Sequence, residues 1–127
     1  MSELAQQVKV TVEPFYLDGD SSMTENRFVF GYTVTIRNDS EQAIQLLARY
    51  WKITPGNGQV QEVRGEGVVG EQPLIAAGEH FRYTSRAVLD CAVGVMEGNY
   101  TCIDNATQTT FEVPIKPFRL ASPLHVH

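Results

Sequence analysis

The chain is poor in several things that announce function. It carries only two cysteines, Cys91 and Cys102, with no C-x-x-C pair and no third ligand nearby, which leaves redox and zinc motifs out and makes both ordinary reduced thiols. No apolar run approaches the roughly 20 residues of a membrane helix, and Met1 to Lys9 lacks a charged-then-apolar signal pattern. A cytoplasmic protein with no membrane partner is expected. Basic residues are also in deficit: 10 Lys and Arg stand against 15 Asp and Glu, a formal net charge of -5. Generic phosphate-backbone binding needs clustered cations, so nucleic acid is not an expected partner. Nothing resembles a nucleophile elbow or an H-E-x-x-H helix, and no spacing links the three histidines to acids or hydroxyls. The sequence therefore assigns no catalytic residue, no metal ligand set and no cofactor.

Helical periodicity is missing too, and what stands in its place is alternation. From Arg27 to Asn38, Phe28, Phe30, Tyr32, Val34 and Ile36 alternate with Val29, Gly31, Thr33, Thr35 and Arg37. Period-two spacing puts the large apolar set on one face of a β-strand. Val8, Val10 and Val12 form an edge strand that Pro14 breaks, and Ala43 to Thr54 is a strand with apolar mass on both phases. Of the latter, Trp51 is expected in the core, while the Tyr50 face needs a covering loop or a second subunit, which leaves a homodimer open. Pro55-Gly56-Asn57-Gly58 turns the chain into a hairpin with Gln59 to Glu66. His80 to Arg86 alternates Phe81, Tyr83 and Ser85 with His80, Arg82, Thr84 and Arg86, a half-buried strand with a cationic outer face. Ala87 to Gly98 reads as a longer connection whose Val88, Leu89, Val93 and Met96 plug the core. Tyr100 to Asp104 then pairs with a last strand that Pro117 ends.

Seven or eight short strands in 127 residues suit one domain, 1–127, that needs no disulfide staple. The predicted architecture is all-β, an immunoglobulin/fibronectin type III-like antiparallel sandwich, with a closed barrel as the alternative.

Four motifs carry chemistry worth weighing. Gly65-Glu66-Gly67-Val68-Val69-Gly70 fits G-x-G-x-x-G, in which glycines let backbone amides approach a pyrophosphate at a helix N-terminus. Val68-Val69 and the nearby Pro73 oppose a helix here, so Arg64, Gly65, Gly67 and Gly70 offer at most a nest of amides for a phosphate. Asp18, Asp20, Ser22 and Thr24 superficially match a calcium loop, but Met23 occupies the glycine hinge and Val29 the bidentate acid position. His80, Arg82 and Arg86 share a strand face that could gather an anion, or simply be solvated. His125 and His127 are spaced to chelate a transition metal on an extended tail.

The run Gln45-Leu46-Leu47-Ala48-Arg49-Tyr50-Trp51, followed by Val60 to Pro73, closely resembles the bacterial ApaG family. The likeness continues through Gly78-Glu79, Phe81, Tyr83-Thr84-Ser85, Met96-Glu97-Gly98, Tyr100 and Phe111 to Leu120. Two positions depart from that pattern: Ala77 stands where the family often has proline, and Tyr50 where many members carry histidine. The resemblance implies a fibronectin type III or immunoglobulin-like fold, and a genetic link to cobalt resistance and magnesium efflux. Similar domains in eukaryotic F-box proteins and a polymerase delta-interacting protein imply protein binding rather than catalysis. The expected function is thus a non-enzymatic protein-interaction module using Arg49, Tyr50 and the Gly65 to Gly70 loop. The alternatives are a phosphate, pyrophosphate or nucleotide binder through that loop, and a divalent-metal binder through His125, His127 or the Asp18-Asp20 loop.

Overall fold

The alternation seen in the sequence becomes eight strands in two antiparallel sheets, in a computed structural model that describes residues 3–123. After a four-residue helix, α1 (Glu3–Gln6), strands β1 (Val8–Tyr16), β2 (Phe28–Asn38) and β6 (His80–Leu89) form one sheet in the order β1-β2-β6. Strands β3 (Ile44–Pro55), β4 (Gln61–Glu66), β7 (Val93–Asp104) and β8 (Thr110–Ala121) form the other in the order β4-β3-β7-β8, and the short β5 (Leu74–Ile75) pairs with the start of β3. This is the all-β, fibronectin type III-like sandwich that the strand count predicts.

Between the sheets, the inner phase of β2 behaves as its spacing requires: Phe28, Phe30, Tyr32, Val34 and Ile36 are all buried. Trp51 joins them, meeting Tyr32, Tyr100 and Phe118 edge-on with ring centroids 5.4, 6.3 and 5.9 Å away. Each such side chain contributes about 1.5–3 kcal/mol of burial. Asn38 is fully buried and ties the layers at one end. Its Nδ2 donates to the carbonyls of Gln42, Ile75 and Ala76, while its Oδ1 accepts from the Ser40 amide and hydroxyl.

Four expectations are corrected. Strand β1 is an edge strand but is not broken at Pro14, which pairs with Tyr32 in mid-ladder, because an edge strand tolerates a missing N–H on its outward side. Likewise β8 continues past Pro117. A register shift opposite Met96 and Gly98 absorbs Lys116 and Pro117, and Phe118 and Leu120 return to the core side. The connection expected over Ala87 to Gly98 is only a three-residue turn between β6 and β7, and Val88 is exposed rather than a core plug. Most consequentially, β3 does not bury two faces. A β-bulge between Leu46 and Ala48 shifts its phase, so Ile44 and Leu46 face inward before it and Trp51 and Ile53 after it. The apparent double apolar face is one face seen on either side of an extra residue, and the apolar surplus inferred for the Tyr50 side disappears.

The two sheets differ in width, and this positions the sites. At one margin β1 lies against β8 with α1 packed on both. At the other, β4 overhangs β6: β4 pairs only with β3 among the described residues, and a cleft separates it from β6.

Candidate functional site

The glycine segment leaves β4 and turns back without a helix. Val68 and Glu71 bond each other through both amides and carbonyls, at 2.8 and 2.9 Å, around Val69 and Gly70. Both central residues have positive φ, 43° and 81°, the signature of a type I′ turn. Valine seldom occupies that region, so the turn holds strain that glycine or asparagine would relieve. Buried Val68 pins the turn to the core, and the Gly67 amide donates to the Leu47 carbonyl at 2.8 Å. The amides of Gly67, Val68 and Glu71 are thus already committed within the chain.

Arg64 and Tyr50 pair with one another in the β3–β4 ladder and project to the outer face of the larger sheet. The Arg64 guanidinium lies 4.3 Å from the centroid of the Tyr50 ring, and the Tyr50 hydroxyl donates to the Glu62 carboxylate at 3.2 Å. Partial desolvation first, and then the Glu62 charge, hold the Tyr50 hydroxyl above its ordinary pKa. The arginine bonded to the glycine segment is instead Arg49. It projects from the opposite, inner face of β3, and its Nη1 donates to the carbonyls of Glu66 and Gly67 at 3.1 and 2.9 Å. Gly65 makes this path available, since a Cβ there would come within 2.8 Å of the guanidinium. Of the residues expected to act together, Arg49 and Tyr50 therefore sit on opposite faces of β3, and β4 is the element both of them touch.

Inside the overhang lies a cleft of about 300 Å³ floored by Trp51, Ile53 and Met96 and bordered by Val63, Ser85 and Arg49. Arg49 is half-buried there, and among the described residues no carboxylate lies within 4 Å of its guanidinium. Its charge reaches the Tyr32 and Tyr83 hydroxyls, whose pKa values burial nonetheless raises. Neither the cleft nor the inward aim of Arg49 follows from a uniform alternation. The readable signal was the switch in apolar phase between Leu46 and Trp51, which a bulge explains better than two covered faces do.

The remaining motifs are accounted for separately. Asp20 forms an ion pair with Arg86 at 2.8 Å, and the polar loop folds over the outer face of β2, where the Ser21 hydroxyl accepts from the buried Val29 amide. His80, Arg82 and Arg86 do share the exposed outer face of β6. Among the described residues no three His, Cys, Asp or Glu are grouped to hold a metal, and His125 and His127 lie outside those residues. Tyr83 and Tyr100 share a buried hydroxyl–hydroxyl bond, with burial pushing both pKa values up. Burial likewise pushes the Cys102 thiol up to about 12, leaving it protonated and unreactive in the folded state. Among the described residues no helix is long and apolar enough to cross a membrane.

Comparison with known proteins gives this arrangement a context. A family model described as the ApaG domain matches residues 18–104. Protein ApaG of Chromohalobacter salexigens is 61% identical over 127 residues, covering 100% of both chains. Among solved structures, a structural-genomics target superposes with a TM-score of 0.91 at 42% identity, covering 98% of this chain and 93% of the other. A Bordetella pertussis crystal structure carrying the ApaA name gives 0.88 at 46% identity, covering 91% and 94%. Family model, full-length relative and close structural neighbours agree with the motif around Arg49 to Gly70, and the chain belongs to the ApaG family.

Proposed function

We propose that the chain is a non-enzymatic, cytoplasmic protein-interaction module whose contact surface is organised by β4. The observation that carries this reading is the pairing of an exposed strand with two arginine-centred groups, one on each face. On the outer side Tyr50, Arg64 and Glu62 form an aromatic and charged cluster. On the inner side Arg49 borders the Trp51 cleft. Tyrosine and arginine dominate protein interfaces because each brings contact area and directed hydrogen bonds at modest entropic cost. The groups with the largest pKa displacement, Tyr83, Tyr100 and Cys102, are buried in protonated form and suit packing rather than proton transfer. Any tie to cobalt or magnesium balance would then run through the partner.

The test is affinity capture from cytosol with the parent chain and with Tyr50→Ala and Arg64→Ala, followed by rebinding of the purified partner. A partner held by the parent and weakened about tenfold or more by either change is expected. Binding that ignores both substitutions, or no partner at any salt concentration, overturns the reading. An anion held by the Gly65 to Gly70 loop has less support, since two of its amides, those of Gly67 and Val68, already donate internally and Arg64 stacks on Tyr50. Pyrophosphate titration followed at the Val69 and Gly70 amides separates the two readings.

A further inference from the structure

Among the described residues, strand β4 presents a ladder edge that pairs with no strand on its far side. The bond from the Gly67 amide to the Leu47 carbonyl sets the alternation along the strand. Backbone groups of Gln61, Val63 and Gly65 face β3, whereas those of Glu62 and Arg64 point away. Every residue of β4 except Gly65 is exposed, and Val63, although on the inner phase opposite Trp51, keeps 39% of its surface in water. Facing it across the cleft is another strand margin, where Val88 is 48% exposed. Neither β4 nor β6 contains the proline or bulge that blunts an edge. Arg49 adds a charge requirement. A half-buried guanidinium beside an apolar floor, with no carboxylate within 4 Å among the described residues and only Nη1 committed to backbone carbonyls, keeps donors that suit an acidic group from outside.

We propose that the β4 margin receives an extended peptide strand whose backbone pairs with Glu62 and Arg64, whose alternate side chains place two apolar groups over Trp51, Ile53 and Met96, and whose next inward position is a carboxylate for Arg49. Strand addition draws affinity from main-chain bonds and selectivity from the pockets beneath every second residue. The spacing of two follows from the pleat. This inference rests on the protein-interaction reading and specifies its partner class as an acidic, apolar-patterned segment in extended form.

The probe is a capped seven-residue peptide of threonines alternating with valine, valine and glutamate, made with the glutamate at either end, beside a version with lysine in its place. Trp51, the only tryptophan, reports through its emission, and hydrogen exchange reports on the Glu62 and Arg64 amides. With the glutamate peptide, both amides are expected to gain protection and the Trp51 emission to shift. The lysine peptide should bind about tenfold or more weakly. Glu62→Pro removes an outward amide without touching a β3 bond and should abolish binding. Gly65→Ala displaces Arg49 and should erase the preference for glutamate; it decides the matter if the proline variant does not fold.

Unchanged exchange at Glu62 and Arg64 under millimolar peptide overturns the proposal, as does a folded Glu62→Pro variant that binds as well as the parent. Exchange changes confined to Tyr50 and Asn99, its partner on β7, also overturn it, yet leave the broader interaction reading standing, since that reading depends on partner capture. Sedimentation provides the remaining arm. Self-association that Glu62→Pro removes, with no peptide response, would make a second copy the occupant and sink the peptide assignment.

Discussion

The two margins of the sandwich are built on opposite policies. Along β1 and β8 the chain sets Pro14, Pro114 and Pro117 into the strands, shifts the register at Lys116 and Pro117, and lays α1 across the seam. Along β4 and β6 there is, among the described residues, no proline, no bulge and no element paired across the edge. Edge strands invite pairing with other chains, and proteins suppress that with proline, bulges and cover. A chain that applies all three devices to one margin and none to the other marks the undefended margin as a place for contact.

That contrast is strongest if the undefended margin rests on a firm core, and Trp51→Ala tests this with the largest effect. A loss of about 3–5 kcal/mol is expected in denaturant unfolding, from lost burial and the cavity left behind. A loss below about 1 kcal/mol would mean that the β4 side is loosely attached to the core. Two neighbouring prolines then probe the edge itself. Val63→Pro removes an amide that faces β3 and should cost about 1–3 kcal/mol, while Glu62→Pro, on the outward parity, should cost less than about 1 kcal/mol. Equal costs in thermal or denaturant melts would show that β4 has no outward side.

How much of this was legible beforehand follows from what period-two reading can see. Alternation on β2 and β6, and the turn residues Pro55 to Gly58, were enough to predict a two-sheet sandwich, because each is a local property of the chain. The bulge at Leu47 was misread as a second buried face, and Pro14 and Pro117 as strand breaks. In each case the deciding fact was which neighbour lay beside the strand, and that is not local. Arg49 was singled out, but with Tyr50, its neighbour in sequence and its opposite in space. The cleft exists only because one sheet is wider than the other.

The interior shared by both margins should respond to alkali. Folded Cys102, Tyr83 and Tyr100 keep their protons to higher pH than in the unfolded chain, where the ordinary values are 9.0 for the thiol and 10.0 for the phenols. Unfolding therefore releases protons in that range, and stability falls as pH rises above about 9, continuing through the folded thiol value of about 12. Melting curves across that range check the sign, and a flat profile would contradict the burial of these groups. Half-buried Cys91 should alkylate well before Cys102 at neutral pH. The smallest effect on stability concerns the defended margin. Pro14→Thr should change folding by less than about 1 kcal/mol while introducing concentration-dependent association, seen by sedimentation. No association would mean that α1 and β8 suffice as guards.

The additional residue at Leu47 gives β3 something like a reading frame. Upstream and downstream stretches of the strand are out of step by half a pleat, and the extra residue is what brings them onto one face. Loss of a single amino acid between Leu46 and Arg49 would leave a regular strand with Ile44, Leu46, Trp51 and Ile53 still inward. Gain of one, with the bulge kept, would exchange insides for outsides from there on, driving Tyr50 toward the centre of the molecule and Trp51 into solvent. Shortening by one residue at this point should consequently be tolerated and lengthening by one be ruinous.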